Sequence, residues 1–394
     1  MRNQNLTAFT KFIMLMLCVC FGVVSLSSVA SAEYMHRESY EQYLSRYSEA
    51  SRPNYDILIP GGDYWLADEE VEVLENPYGY EGSALLVGER TTVEWVVFVP
   101  EEGLYNLEIA YYPVSGRNTP IEREIRINRQ PLFDGADYLV LSRVFGDDGP
   151  FLKDAAGNEI RPRQVEKPMW QAVNLKDSLG YHPEPYKFYF NSGFNTIQLI
   201  GRAEPAIIGH LRLYQADEPV PYAEVAKDYP SNAADSVRDV FLKIQGQDAI
   251  YRSSPALFAV FDQGDPTTEP YHPAEIRLNS IGGYRWQTVG DWIAWEVEVP
   301  KSGYYQIAIK GKQNINRGVF SNRRLTIDGK VPFAEVDAVQ FNFTNRYQMK
   351  VLGQDLIDEP FLFYLEEGKH EIRLEAVLGD LAPLIRLTEE TLYE

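Results

Sequence analysis

The chain has 394 residues, of which 45% are hydrophobic, so it is long and apolar enough for more than one buried core. Its 57 acidic and 37 basic residues give a formal net charge of −20, which repels phosphate backbones and argues against a nucleic-acid partner. The only cysteines are Cys18 and Cys20, which excludes disulfide frameworks, zinc–cysteine sites and thiol nucleophiles from the rest of the chain.

The first 32 residues have the three parts of a secretory signal peptide. Arg2 and Lys11 precede an apolar run from residue 12 to residue 26, and small residues follow it, ending at Ala32. The apolar run is shorter than the ~20 residues that cross a bilayer, which disfavours a transmembrane anchor. The sequence therefore predicts cleavage after Ala32 and a secreted, extracellular location.

Residues 33–53 predict one short helix. Tyr40, Tyr43, Leu44 and Tyr47 have helical spacing, and Pro53 ends the pattern. We expect this tyrosine stripe to pack on the domain that follows, because an apolar stripe on a short helix is usually part of a core.

Beyond the helix the sequence consists of short strand-like runs separated by turn residues, and these runs are duplicated. Residues 96–110 match residues 296–310 at an offset of 200, with Trp95 opposite Trp295 and Tyr105 opposite Tyr305. Residues 188–199 match 363–374 at an offset of 175.

The duplication predicts two domains, 54–217 and 240–394, joined by a proline-rich linker at 218–239. The second domain is a candidate for truncation at its C-terminus. Antiparallel strands without intervening helices must bury one face against a second sheet. The predicted fold class is therefore all-β, with two tandem antiparallel β-sandwiches.

Catalytic motifs are not evident. None of the five histidines has another at i+3 or i+4, and the chain has no G-x-S-x-G elbow and no phosphate-binding glycine loop. Adjacent acidic residues such as Asp147 and Asp148 diverge in direction, whereas glycosidase carboxylates face each other. The sequence favours a protein that is not an enzyme, with a glycoside hydrolase or lyase as the less favoured alternative.

Binding candidates lie on loops that mix aromatic and planar polar residues. Such loops suit sugars, whose C–H faces stack on rings and whose hydroxyls need fork-like donors and acceptors. The long connection 134–185 supplies Asp147, Arg161, Arg163, Trp170, Gln171 and Tyr181, and a glycine-flanked loop of the second domain supplies Tyr284 and Trp286. The alternative is that Trp170 and Tyr181 fill a small core beneath the loop.

The run GDWIAWEVEVPKSGYYQIAIK at 290–310, with its twin at 92–112, resembles the core of carbohydrate-binding modules of families 6 and 35. The resemblance implies a galactose-binding-like jelly-roll fold and an aromatic–glutamine element whose ring stacks on sugar. That element is Trp170-Gln171 in the first domain and Tyr347-Gln348 in the second. The family also tends to hold a structural calcium, for which Asp63 and Asp248 are weak candidates, because one carboxylate per domain is far fewer ligands than calcium needs. No cofactor is certain.

A second resemblance covers nearly all of the chain after residue 32. The order SYEQYLSRY, IPGGDY, RPRQVEKPMWQ, DSLGY and PYKFYF is similar to the N-terminal region of large Gram-positive extracellular solute-binding proteins of sugar ABC transporters. It implies a transporter permease or a downstream solute-binding domain as partner. The favoured function is exported, non-catalytic binding of an oligosaccharide or polysaccharide. The alternatives are the front end of such a transporter protein, an accessory region of a glycoside hydrolase, and a structural module near the cell envelope.

Overall fold

The structure is a computed structural model that describes residues 37–393, and the side chains of residues 389–393 are not described. The signal peptide predicted at 1–32 lies outside the described residues. The helices are α1 (Tyr40–Arg46), α2 (Tyr222–Val225), α3 (Gln354–Ile357) and α4 (Ala382–Tyr393). Short 3-10 turns lie at Pro77–Gly79, Ala226–Asp228, Ala233–Asp235, Gly246–Asp248, Gly283–Arg285, Ala334–Val336 and Gly379–Leu381.

The strands of the first repeat are β1 (Ile57–Pro60), β2 (Leu66–Ala67), β3 (Glu72–Glu75), β4 (Ser83–Val87), β5 (Thr92–Val99), β6 (Gly103–Pro113), β7 (Ile121–Ile127), β8 (Leu139–Leu141), β9 (Phe145–Asp147), β10 (Leu152–Lys153), β11 (Glu159–Ile160), β12 (Gln164–Glu166), β13 (Gln171–Asn174), β14 (Lys187–Phe190), β15 (Gly193–Ala203) and β16 (Ala206–Tyr214). Those of the second repeat are β17 (Tyr251–Arg252), β18 (Ala259–Val260), β19 (Ser280–Ile281), β20 (Trp292–Val299), β21 (Gly303–Tyr305), β22 (Ala308–Gly311), β23 (Phe320–Ile327), β24 (Val339–Asn342), β25 (Gln348–Val351), β26 (Phe363–Leu365) and β27 (Gly368–Val377).

The first repeat is a closed β-sandwich, which confirms the predicted fold class. Sheet 1 has seven strands in the order β13-β6-β16-β4-β3, with β1 paired to β16 and β14 paired to β6. Sheet 2 has five strands in the order β2-β5-β15-β7-β8. Alternate side chains of both sheets form one core, in which Trp95, Tyr105 and Leu211 are fully buried.

The two repeats contain the same local hydrogen bonds. Trp95 Nε1 donates to Gly61 O at 3.0 Å, and Trp295 Nε1 donates to Gly246 O at 2.9 Å. In each hairpin the tyrosine hydroxyl donates to a carbonyl four residues earlier, as Tyr105 does at 2.8 Å and Tyr305 at 2.6 Å. Both tryptophans are buried, as strand tryptophans beside alternating valines should be.

Helix α1 packs on the first sandwich through its tyrosines, as expected. Ser39 and Gln42 form a capping box, and the rings of Tyr40 and Tyr43 enter the core beside Phe133. Their hydroxyls accept hydrogen bonds from the backbone N–H groups of residues 187 and 189, both at 2.8 Å. These bonds occupy donors on edge strand β14 that would otherwise be unpaired.

The segment expected to be a linker packs on the second repeat in the same way. Tyr222 lies 4.9 Å from Phe333, ring centre to ring centre, and its hydroxyl accepts a hydrogen bond from Leu362 N–H at 3.1 Å. Phe333 and Leu362 are the counterparts of Phe133 and Lys187 at the two offsets. The duplication therefore extends to the docking tyrosine, although the surrounding sequences share little else.

A third sheet joins the repeats. Sheet 3 has seven strands in the order β12-β9-β17-β20-β27-β23-β24, so two strands from the long loop of the first repeat extend the main sheet of the second. Arg252, fully buried at this junction, donates to Asp147 at 3.1 and 3.2 Å and to Gln164 Oε1 at 2.7 Å. The junction is thus a continuous backbone ladder clamped by a buried ion pair.

The second repeat is less closed than the first. Its second layer consists of three separate two-stranded pieces, β18-β19, β21-β26 and β22-β25. Ile109 on β6 is completely buried, but its counterpart Ile309 on β22 is only half-buried. Within residues 37–393, no helix has the length and apolar character needed to cross a membrane.

Candidate functional site

The outward face of sheet 1 combines rings and polar groups. Strand alternation sends Leu107, Ile109 and Tyr111 of β6 into the core, so Glu108 and Tyr112 point outward. On β16 the register shifts between Ile208 and His210, and beyond this bulge His210, Arg212 and Tyr214 also face outward. The sheet pairs β6 directly with β16, so the two sets of outward side chains are neighbours.

Four rings at one end of this face form what we call the aromatic cluster: Tyr78, Tyr80, Tyr112 and Trp170. Tyr78 stacks on Tyr112 with ring centres 4.4 Å apart and planes 7° apart. Trp170 lies 5.6 Å from Tyr112 and 4.5 Å from Tyr80. The Tyr78 side is open to solvent, with 66% of the residue exposed.

The backbone around the cluster is unusual in two places. Tyr78 has φ 51° and ψ 35°, a left-handed conformation that costs a non-glycine residue about 1–2 kcal/mol. A Cβ at Gly209, on the β16 bulge, would lie 2.7 Å from Tyr80 Cε2 and 2.9 Å from Trp170 Cζ3. Only glycine there lets the two rings lie against the backbone, so the bulge and the strained loop both serve to place rings.

Next to the cluster is a row of hydrogen-bonding side chains, the polar row: Asp56, Glu108, Asn174, His210, Arg212 and Tyr214. The Tyr80 hydroxyl lies 2.8 Å from His210 Nδ1, and His210 Nε2 lies 3.6 Å from Glu108 Oε1. Arg212 donates to Asp56 through two nitrogens, at 2.8 and 2.7 Å. Tyr214 donates to Asn174 Oδ1 at 2.9 Å, which completes a row that runs across the sheet.

Two ionisable groups of this face have shifted pKa values. Burial raises the pKa of the Tyr80 phenol, which is protonated at neutral pH, and its hydroxyl is hydrogen-bonded to His210 Nδ1 at 2.8 Å. The hydrogen bonds from Arg212 hold the pKa of Asp56 below its usual range, so this carboxylate stays ionised and paired. The face offers flat rings, a guanidinium and carboxylate oxygens, which can stack on and hydrogen-bond a ligand.

The structure places Trp170 in the aromatic cluster but Gln171 and Asp147 elsewhere. Trp170 is half-buried, and its Nε1 donates to Pro77 O at 3.2 Å, so it supports the loop that carries Tyr78. Gln171 points inward and donates to Ser142 O at 2.9 Å. Asp147 accepts from Arg252 and from Gln164 at the junction of the repeats. The polar groups of these last two residues are engaged within the protein.

The other candidates of the long loop are spread apart. The Arg161 guanidinium lies 3.5 Å from the centre of the Phe258 ring, in the second repeat. Arg163 is exposed, and its carbonyl accepts from Asp148 N–H. Tyr181 is half-buried, and its N–H donates to Asp177 Oδ2 at 2.7 Å. The structure therefore does not bring the loop arginines to the ring of Trp170.

In the second repeat the candidates have separate surroundings. Tyr284 is exposed, next to Arg285, whose guanidinium lies 4.6 Å from the Phe258 ring centre. Trp286 packs on the core beneath Arg323 and donates to Asp291 O at 2.9 Å. The Tyr347 hydroxyl lies 2.7 Å from Ser280 Oγ and donates to Asp262 Oδ2 at 3.2 Å.

The calcium candidates do not form a site together. Asp63 and Asp248 are both exposed residues, and partial desolvation of the Asp248 carboxylate, together with the charge of Glu159, raises its pKa. No group of three or more His, Cys, Asp or Glu side chains in residues 37–393 is arranged to hold a metal ion.

Several residues of this face are absent from the binding residues predicted from the sequence: Tyr78, Tyr80, Tyr112, His210 and Arg212. A signal was present for the first two. Residues 76–82 read NPYGYEG, two tyrosines held between turn residues, and turn-flanked rings are exposed more often than strand rings. His210 and Arg212 gave no such signal, because only the bulge at Gly209 sets the face to which they belong.

Among known proteins, this chain is similar only to solved structures, and matches no family model and no curated sequence, as follows. No protein-family model and no curated protein matches the chain. Among solved structures, the chain is similar to a family 35 carbohydrate-binding module from Clostridium thermocellum, at 15% identity and TM-score 0.24, over 41% of this chain and 99% of the module. It is also similar to the Podospora anserina GH26-CBM35 β-(1,4)-mannanase, at 14% identity and TM-score 0.27, over 46% of this chain and only 33% of the mannanase. A third is the C-terminal family 6 module of LamC, a laminarinase from Zobellia galactanivorans, at 12% identity and TM-score 0.21, over 41% of this chain and 100% of the module.

Proposed function

We propose that this chain is an exported, non-catalytic protein that binds an oligosaccharide or polysaccharide on the outward face of sheet 1. The observation that carries the proposal is the Tyr78 ring, which is 66% exposed yet held flat against Tyr112 by a left-handed backbone. Backbone strain of this kind persists where the surrounding structure enforces it, and ligand sites are common among such places.

The chemistry of the face fits a saccharide. The C–H face of a pyranose stacks on an exposed ring, and its hydroxyls can pair with the carboxylate, guanidinium and amide groups of the polar row. The rings and the polar row lie on neighbouring strands of one sheet face, so a chain-like ligand can cross it from the rings toward Arg212 and Asp56. We expect affinities between ~mM and ~µM, because a few stacked rings offset little more than the cost of association.

A glycan array of the intact chain and of Tyr78→Ala tests the proposal. The wild type should bind one class of glycan. The variant should bind it about two- to tenfold more weakly, since one aromatic contact contributes ~0.5–1.5 kcal/mol. Tyr78 is a better site for this change than Trp170, because Trp170 also hydrogen-bonds the loop through Pro77 O.

Phe194→Ala is the matched control. Phe194 is 78% exposed, but it lies on the outward face of sheet 2, opposite Phe98. This variant should bind like the wild type. Equal binding by Tyr78→Ala and wild type, or no glycan binding by wild type, would contradict the proposal.

Export is part of the proposal and has its own test. N-terminal sequencing of the protein from the culture medium should begin at Glu33. The partnership with a sugar transporter rests on the motif resemblance alone, and co-purification of the permease with the intact chain would test it.

A further inference from the structure

Glu108 lies at the centre of the polar row. On β6 it is paired across the sheet with Asn174 of β13 on one side and with Arg212 of β16 on the other. Its side chain is only 16% exposed. Two nitrogens lie within ion-pair distance of its Oε1, His210 Nε2 at 3.6 Å and Arg212 Nη1 at 3.7 Å, and both are too far for a hydrogen bond. Within residues 37–393, this carboxylate is therefore a half-buried acceptor that no protein donor fills.

The guanidinium beside Glu108 is committed to another carboxylate. Arg212 donates through Nε and Nη2 to the two oxygens of Asp56, at 2.8 and 2.7 Å, the forked geometry of a strong ion pair. Its guanidinium carbon also lies 4.3 Å from the centre of the Tyr214 ring, which fixes its position further. The polar row thus has two carboxylates for one guanidinium, and the negative charge in excess remains at Glu108.

The sequence around the aromatic cluster adds negative charge. Residues 54–89, which include β1–β4 and the loop that carries Tyr78, contain nine acidic residues and no lysine or arginine. Glu75 and Glu81 flank that loop, and both are exposed. The faces of the Tyr78 and Tyr112 rings are electron-rich and attract cations as well. The rings and the polar row therefore both favour a ligand that carries positive charge.

We propose that Glu108 makes this face selective for amino sugars, saccharides that carry free protonated amino groups, an inference that rests on the proposed function. An ammonium group makes a stronger hydrogen bond to a carboxylate than a neutral hydroxyl does. N-acetylation removes that charge, and an acidic sugar is repelled by the carboxylate. Glu108 and Tyr112 are four residues apart on β6, about 13 Å along a strand, so an oligosaccharide can contact the ring and the carboxylate together.

Calorimetric titration of two matched oligosaccharides into the intact chain tests the selectivity. The probes are a glucosamine oligomer and the N-acetylglucosamine oligomer of the same length, at a pH at which the free amines are protonated. The wild type should bind the amine form at least about tenfold more tightly at low salt. This ratio should fall toward one at about 0.5 M salt, because ions screen the attraction between the ammonium groups and the face.

Glu108→Gln removes the charge of this side chain and keeps its size. The variant should bind the amine form about tenfold more weakly than the wild type does, and its preference for that form should disappear. Glu298→Gln is the matched control, because it removes the same charge from an exposed position of the second repeat, on β20. It should keep the wild-type ratio. The salt dependence of the wild type decides the test if Glu108→Gln does not fold.

The outcomes separate this selectivity from the proposed function. If the wild type binds a glycan on the array but does not prefer the amine form of the oligomer, the selectivity is overturned and saccharide binding stands. The same holds if Glu108→Gln keeps the full preference, or if the preference does not change with salt. If the wild type binds no glycan at all, amino sugars included, both inferences are overturned.

Discussion

The two repeats have the same hairpin and the same buried tryptophan and tyrosine hydrogen bonds, yet strand β16 of the first has no counterpart strand among the described residues of the second. In the first repeat β16 lies between β6 and β4, contributes Leu211 and Leu213 to the core and presents His210 and Arg212 outward. In the second repeat helix α4 follows β27 instead. A single strand therefore both closes the sandwich and supplies half of the proposed binding face. Duplication of the hairpin motif did not duplicate the site.

The largest expected change in unfolding free energy comes from truncating equivalent core residues of the two repeats. Ile109→Ala removes a fully buried side chain that β16 covers, and it should lower the free energy of unfolding by about 4 kcal/mol, within the range for Ile→Ala in a packed core. Ile309→Ala changes a half-buried residue that lines a cavity of about 1740 Å³ in the second repeat. It should lower the free energy of unfolding by about 1 kcal/mol, because water can occupy the space left. Urea unfolding of the two variants measures both values. Equal costs would show that the second core is closed as tightly as the first.

The second largest expected change in stability comes from breaking the ion pair at the junction between the two repeats. Arg252→Met removes the cation from Asp147 and the donor to Gln164 Oε1. Because Asp147 is left without its cation, we expect a loss of about 3 kcal/mol, at the low end for a broken buried pair since the carboxylate keeps some exposure. Arg238→Met, at an exposed ion pair, is the control and should change the unfolding free energy by about 0.5 kcal/mol or less. Similar losses in the two variants would mean that Arg252 does not clamp the repeats.

The smallest predicted change in stability is the pH dependence from a histidine–aspartate pair that the second repeat has and the first replaces with two asparagines. His370 Nδ1 lies 2.6 Å from Asp328 Oδ2, and this hydrogen bond raises the pKa of His370. The equivalent pair in the first repeat is Asn195 and Asn128, joined at 2.9 Å, and neither residue titrates. A raised histidine pKa stabilises the fold below pH 6.5, and that stability is lost as the pH rises through the folded pKa. The loss should be below about 1 kcal/mol, because Asp328 is half exposed.

The double variant Asp328→Asn with His370→Asn rebuilds the pair of the first repeat. Its unfolding free energy should be flatter between about pH 6 and pH 8 than that of the wild type. An unchanged slope in the double variant would assign the pH dependence to another group.

The β-sandwich fold could be predicted from the sequence, because strand alternation and the repeated hairpin are local patterns. Trp95 and Trp295 were expected in the core and are buried there. The extra strands of sheet 3 were not foreseen, because they join residues about a hundred positions apart, and no local pattern records such a pairing. The same holds for the docking of Tyr222 on Phe333.

The candidate site was predicted less well than the fold. Trp170 lies in the aromatic cluster, but Arg161 contacts Phe258 and Asp147 pairs with Arg252. The sequence does not distinguish a loop arginine or carboxylate that binds a ligand from one that contacts another domain, because both roles require the same charged groups. The contribution of His210 depends on a bulge at Gly209, and a glycine in a strand pattern indicates a bulge without giving the side to which the next residue points.

Calorimetric titration of the glycan selected on the array into wild type and Tyr112→Lys tests the central claim most directly. The second repeat has a lysine, Lys312, at the position equivalent to Tyr112. The change therefore removes the ring of Tyr112 and introduces a residue that the equivalent position of the second repeat already carries. The account predicts one binding event per chain for the wild type and at least about tenfold weaker binding for the variant, since Tyr112 also supports Tyr78. Two equivalent events per chain, or unchanged affinity in Tyr112→Lys, would contradict it.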